Sequence, residues 1–315
     1  MFSFIRSSKT RTLLLSLGLL ITLVLSACGG PTTTNNSNQS KGPIIVGSKL
    51  DVESQLIAEM YILLLQKNGY KITPKLALGN STIVDQGIKS GALDIYPEFT
   101  ATGLNELNIP SSFNPRTDYN TVKTQYEQKY HITWLAPAPL NDGYAICTSK
   151  AEAQSLGITT ISQLAPLVSH LTLALPTDGI SFIDDLQKTY GFTTKSFKSV
   201  SQVLYAIGFS AVKNGQAQVN VCYTTDGTVA TQNFIFLKDD KNGFPQFNPA
   251  PIVRDAILQK YPDITTILNT LAPDLTTQVS IDLQNKVASM KNSGTSSTEA
   301  VKVVAQQFLQ SKGLL

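Results

Sequence analysis

Few residues in this chain are equipped for covalent chemistry. His131 and His170 are the only histidines, so no His/Cys cluster at metal-ligand spacing is present. Neither a G-x-S-x-G elbow nor a phosphate-cradling glycine motif occurs. Cys147 with a histidine would make a nucleophilic dyad, but it lies inside a strand-like apolar run, where cysteine behaves as a small hydrophobe. What the chain does carry is aromatic rings beside hydroxyls and acids. Phe99 precedes Thr100 and Thr102, Asp142 precedes Tyr144, Tyr223 precedes Thr224-Thr225-Asp226, and Phe247 stands between Pro245 and Pro249. Any one such ring is ordinarily core. Several meeting at the tips of two facing lobes make a cage, the physical answer to a cation that has no hydrogen to donate. No catalytic residue, metal or cofactor is expected.

Such rings need elements that hold them at strand ends, where α/β proteins place their ligands. Ile44–Gly47 reads as a strand, and Val52, Leu56, Ile57, Met60, Leu63 and Leu64 give helical spacing over 52–68, closed by Gly69. Lys71–Leu78 is a second strand; Asn80 or Ser81 caps a helix to Lys89 that stops at Gly91. Leu93–Tyr96 alternates as a third strand that Pro97 ends, which puts Phe99, Thr100 and Thr102 on a strand-end loop. Asn114-Pro115 starts a helix to Tyr130, and Ile132–Leu135 is a short strand. A second series follows: strands at 144–148, 171–175, 217–223 and 234–237, and helices at 150–156, 180–190 and 203–213. From 244 to 251 the chain crosses back, and the remainder reads as helical.

Strand-helix alternation predicts an α/β fold with mixed, mostly parallel sheets in two lobes. Pro137 and Pro139, with Pro245 and Pro249, bracket the second series and mark a two-crossing hinge. Lobe I is then residues 43–141 with 247–315, and lobe II is residues 142–246. A weak internal echo supports two lobes: Ile88-Lys89-Ser90-Gly91 and Val212-Lys213-Asn214-Gly215 each lead into a strand that ends in tyrosine. Cys147 and Cys222 are expected reduced and buried with their side chains away from the ligand, a disulfide being the alternative.

The amino terminus has its own logic. Arg6, Lys9 and Arg11 precede an apolar run from Leu13 to Leu25, about thirteen residues against the ~20 that a spanning helix needs. Small residues then lead to Cys28-Gly29, as in a lipoprotein leader cleaved before a diacylated cysteine. Residues 1–27 are thus expected to be a signal peptide, and residues 28–42, rich in Thr, Asn and Ser, a flexible lipid-anchored tether. Removing the leader takes away three basic residues and no acid, leaving 22 of each sign. A neutral chain without basic runs argues against nucleic acid as a partner.

From Val46 to Leu315 the chain resembles the substrate-binding lipoproteins of osmoprotectant ABC importers, which take up glycine betaine, choline or carnitine. The resemblance is carried by Gly47-Ser48-Lys49, Asp94–Gly103, Trp134–Ala145, Tyr223–Gly227 and Phe244–Pro251. It implies a type II periplasmic-binding-protein fold, two lobes closing on a quaternary ammonium ligand, and a permease partner at the outer face of the cell membrane, with the chain a monomer. It places the four cage rings on Phe99, Tyr144, Tyr223 and Phe247. It puts Lys49 and Thr102 at the ligand's polar end, and Asp142 adds negative potential. Where the family usually has tyrosine this chain has Phe99 and Phe247, which keep the π face. Where the family has an arginine two residues before the Asp178-Gly179 pair, this chain has Pro176, which removes a bidentate carboxylate clamp and favours choline or a related cation. The competing expectation, from another class, is an exported enzyme or a surface adhesion lipoprotein on the same scaffold.

Overall fold

The computed structural model describes residues 41–176 and 179–315. The expected leader, Cys28 and most of the tether, together with Asp178, lie outside the described residues. Strand β1 (Lys41–Lys49) begins two residues inside the stretch expected to be tether. It leads to helix α1 (Val52–Lys67), which Asp51 caps by accepting the Ser54 N–H at 2.6 Å. Eleven residues of α1 are buried, because the helix lies between its sheet and the C-terminal helices. Strand β2 (Tyr70–Gly79) follows, then α2 (Ser81–Lys89), capped by Asn80. Gly91, at φ 81°, lets the chain leave α2 through the left-handed region.

Strand β3 (Ile95–Phe99) corrects the expectation that Pro97 ends the strand. Pro97 faces Pro251 of β10 (Pro249–Arg254), its antiparallel neighbour. The Thr100 N–H donates to Asn248 and the Arg254 N–H to Asp94, so even-numbered residues on this side carry the ladder bonds. The two prolines therefore face each other where neither owes the other a hydrogen bond. No loop follows β3: Thr100–Glu106 is helix α3. Gly103 lets α3 press onto Trp134 of β4 (Ile132–Trp134), where an added methyl would come within 2.7 Å of the ring. Between them, α4 (Pro115–Tyr130) matches the expected span and is capped by Asn114.

The first sheet has the order β2-β1-β3-β10-β4. Strand β10 was not foreseen; prolines 249 and 251 disguise a strand that sits inside the sheet. The second sheet contains β5 (Tyr144–Ser149), β6 (Thr172–Leu175), β7 (Ser199–Gln202), β8 (Val219–Tyr223) and β9 (Phe234–Phe236), in the order β7-β6-β8-β5-β9. Both sheets are mixed, and antiparallel pairings are as frequent as parallel ones, because β10, β5 and β9 all run against their neighbours. Each sheet has its own apolar core, so the molecule is an α/β protein of two lobes. The helix expected over 180–190 is broken at Leu186 into Gly179–Asp185 and Gln187–Tyr190.

Cys147 and Cys222 form a disulfide, which overturns the expectation of free thiols. Strand β5 pairs antiparallel with β8, so Ala145 faces Cys222 and Cys147 faces Asn220. The two cysteines are diagonal neighbours on one sheet face, with Cα atoms 5.9 Å apart. Both are fully buried against Phe209, Val229 and Phe234. The bridge closes a loop with a sequence separation of 75. Replacing both cysteines by alanine is expected to cost about 2–4 kcal/mol of stability, read from urea unfolding. Thiol titration of unreduced, unfolded residues 41–315 that finds two free thiols would contradict the bond.

Candidate functional site

The chain passes between the sheets twice, and the two passages are bonded to each other. The Phe247 N–H donates to Asn141 Oδ1 at 2.8 Å, the Asp142 N–H to the Phe247 carbonyl at 3.1 Å, and Asn248 Nδ2 to the Leu140 carbonyl at 2.8 Å. Thr100 ties the second passage to the end of β3 by donating to the Gln246 carbonyl at 2.7 Å and accepting the Asn248 N–H at 3.1 Å. Thr100 is thus a structural tie.

Beside this junction opens a cavity of about 700 Å³. Each of the seven ligand-binding residues named from the sequence lines it: Lys49, Phe99, Thr102, Asp142, Tyr144, Tyr223 and Phe247. Tyr144 opens β5 and Tyr223 closes β8, and antiparallel register sets them opposite one another with ring centroids 5.0 Å apart. Phe247 lies 6.3 Å from Tyr144 at 70°. A fifth ring, Tyr205, stands at the start of helix Tyr205–Lys213, 5.1 Å from Tyr223. Its hydroxyl donates to Asp226 at 2.6 Å and accepts the Tyr223 N–H at 3.2 Å, which fixes the Tyr223 backbone. Burial, and next the Asp226 bond, hold the Tyr205 phenol well above its ordinary range. Phe182 stacks on Tyr144 at 3.7 Å and 20°, and with Phe247 it lines a second, smaller cavity.

Lys49 is committed within the chain. Its Nζ donates to Glu98 at 2.5 Å and lies 4.6 Å above the Phe99 ring. Glu98, fully buried, also accepts from the Tyr96 hydroxyl at 2.9 Å and the Phe99 N–H at 2.7 Å. Burial raises the Glu98 carboxyl, and Lys49 opposes that rise. The ion pair thereby holds Phe99 from both sides.

Four acids, Asp51, Glu53, Asp142 and Asp226, also line the cavity, with Lys291. Asp142 accepts the Thr225 hydroxyl at 2.6 Å, and burial raises its carboxyl from 3.8 to about 6. Glu53, in the first turn of α1, is 4% exposed and is raised well above its usual value, first by burial and next by the charge of Asp142. Its Oε2 accepts from Gln284 at 3.0 Å, whereas Oε1 has no hydrogen-bond partner among the described residues. Among the described residues no arginine lines the cavity; Arg254 pairs with Asp94 at 3.1 Å, and Arg116 lies exposed in α4.

Tyr205, Phe182 and Glu53 escaped the sequence reading. Tyr205 and Phe182 are single rings in helical stretches, and Glu53 looks like an ordinary first-turn acid that complements a helix dipole. Among the described residues no group of three His, Cys, Asp or Glu side chains is placed to hold a metal ion, and no helix is long and apolar enough to cross a membrane.

Two α/β lobes with a ring-lined cleft at their crossings define a solute-binding protein of the type II periplasmic class. The chain belongs to the family of substrate-binding domains of ABC-type glycine betaine transport systems, whose profile matches residues 42–311. A glycine-betaine-binding protein of Pseudomonas aeruginosa is 30% identical over 241 residues, covering 72% of this chain and 76% of that one. The apo structure of YehZ from Escherichia coli superposes with a TM-score of 0.71 at 28% identity, covering 87% of this chain and 100% of that one. The ergothioneine transport permease/ergothioneine binding protein EgtU of Helicobacter pylori is 27% identical over 277 residues, 86% of this chain; the chain spans 48% of that protein's length.

Proposed function

We propose that this protein is an extracytoplasmic, lipid-anchored solute receptor that captures a quaternary ammonium compound and delivers it to an ABC permease. The convergence of Phe99, Tyr144, Tyr223 and Phe247 on one cavity carries the proposal. A trimethylammonium group cannot donate hydrogen bonds, so ring faces must replace its hydration, at roughly 0.5–2 kcal/mol for each ring. Tyr205 extends the set of rings, Thr102 and Lys49 line the same cavity, and Asp142 supplies negative potential. The absence of an arginine from the lining favours choline over ligands that end in a carboxylate. Lobe I is residues 43–141 with 247–315 and lobe II residues 142–246, closing about the bonded crossings.

A thermal-shift and titration panel of choline, glycine betaine, carnitine, proline betaine and ergothioneine tests the class. The neutral isostere 3,3-dimethylbutanol should bind far more weakly than choline; equal affinity would remove the cage. Affinity for a cation should also rise several-fold from pH 5 to pH 7.5. The Asp142 carboxyl, raised to about 6, is ionised above that pH and neutral below it, so its attraction disappears as pH falls. Asp142→Asn should flatten the profile, and an unchanged slope in that variant would exclude Asp142 as the cause.

Residues 1–27 are proposed to be cleaved and Cys28 lipidated. Cys28→Ala should release the chain from the membrane fraction. Retention after a salt wash, with the leader shown by mass to be removed, would count against lipidation.

A further inference from the structure

The resemblance assigns the ligand's polar end to Lys49, but the geometry gives that lysine to Glu98 and Phe99. Among the described residues lining the cavity, one buried side-chain oxygen has no partner at hydrogen-bond distance and angle. Glu53 is 4% exposed and lines the cavity. Its Oε2 is bonded to Gln284, and its Oε1 has no partner at hydrogen-bond distance and angle among the described residues, the Ser280 and Thr225 hydroxyls acting on the carboxylate only more weakly. A buried acceptor left unmade is costly, and such an atom in a ligand cavity is a place kept for a donor.

We propose that Glu53 is a specificity-determining residue: its free oxygen takes a hydrogen-bond donor at the ligand's far end. The cleft thereby selects trimethylammonium compounds that carry a hydroxyl or N–H there over those that end in a bare carboxylate. The proposal rests on the quaternary ammonium function above and narrows its ligand class.

Charge points the same way. Asp51, Asp142 and Asp226 line the cavity with Glu53, against Lys49 and Lys291, and Lys49 is already neutralised by Glu98. A ligand carboxylate would enter next to uncompensated acids, without an arginine to receive it. A cation is attracted by the same acids. Burial and the charge of Asp142 favour the protonated Glu53, and the Ser280 and Thr225 hydroxyls oppose that shift only in part. An arriving ammonium charge opposes that protonation and shifts the balance towards the ionised, accepting carboxylate.

Isothermal titration of choline, choline O-methyl ether and glycine betaine tests this on wild-type protein and on Glu53→Gln. The ether keeps the charge and loses the donor. A site built around a donor rejects an analogue without one, so the ether should bind at least about tenfold more weakly than choline to wild type. In Glu53→Gln, which keeps the shape but removes the charge facing a carboxylate, the ratio of choline to glycine betaine affinity should fall by about tenfold. Equal affinity of wild type for choline and its ether overturns the proposal, as does an unmoved ratio in a variant whose melting curve shows it folded. If Glu53→Gln does not fold, the ether comparison on wild type decides alone. If none of the three ligands binds wild type, the quaternary ammonium function fails and this inference falls with it. That outcome is distinct from choline and its ether binding equally well.

Discussion

Tyr144→Ala weakens binding of a trimethylammonium ligand by about tenfold to a hundredfold, the largest single-ring effect expected in the site. Tyr144 is the ring from which the others take position. It faces Tyr223 at 5.0 Å, meets Phe247 at 6.3 Å and is stacked by Phe182 at 3.7 Å. Its removal takes away one cation–π contact, worth up to about 2 kcal/mol when desolvated. It also removes the support of three neighbours, at about 0.5–1.5 kcal/mol for each aromatic pair. Tyr144→Phe keeps the face and should be mild. Isothermal titration measures both, and an alanine variant within twofold of wild type would move the ligand elsewhere.

Lys49→Met destabilises the protein by about 3–5 kcal/mol, because it leaves Glu98 buried without its counter-charge. Glu98 is inaccessible to solvent and Lys49 is 7% exposed, so water can replace neither partner. Adding Glu98→Gln removes the orphaned charge; its single amide oxygen can accept the Phe99 N–H while its NH2 donates to the Tyr96 hydroxyl oxygen, so the double variant should recover a large part of the loss. Urea unfolding of the two variants makes the comparison. A single variant as stable as wild type would mean that Glu98 is held protonated and the pair contributes little. Because this pair flanks Phe99, the single variant should also bind ligand more weakly than its loss of folded protein explains.

What could be read from the sequence follows from how local each signal is. Asn80, Asn114 and Pro115 set helix starts through their own chemistry, and α2 and α4 begin where those residues dictate. The rings at 99, 144, 223 and 247 could be singled out because each is tied to a strand end or a proline-marked crossing, and the family resemblance implied that they share one site; all four line one cavity. Strand β10 could not, because Pro249 and Pro251 argue against a strand unless the partner across the ladder also withholds its bonds, as Pro97 does. The disulfide depended on the same kind of information. Two cysteines 75 residues apart meet because β5 and β8 are antiparallel neighbours, whereas strand-helix alternation suggested parallel ones. Glu53 gave no local sign, since its unpartnered oxygen is a property of the assembled cavity.

The position of β10 bears on how the chain is made. Its strand, Pro249–Arg254, separates β3 from β4, which do not pair with one another. A chain synthesised from its N-terminus therefore cannot close the first sheet until residue 254 has emerged, although four of that sheet's five strands lie before residue 135. The second sheet is drawn from the unbroken stretch Tyr144–Phe236 and is complete earlier. The lobe that begins the polypeptide is thus the last to be finished, and until then it presents two unpaired strand edges.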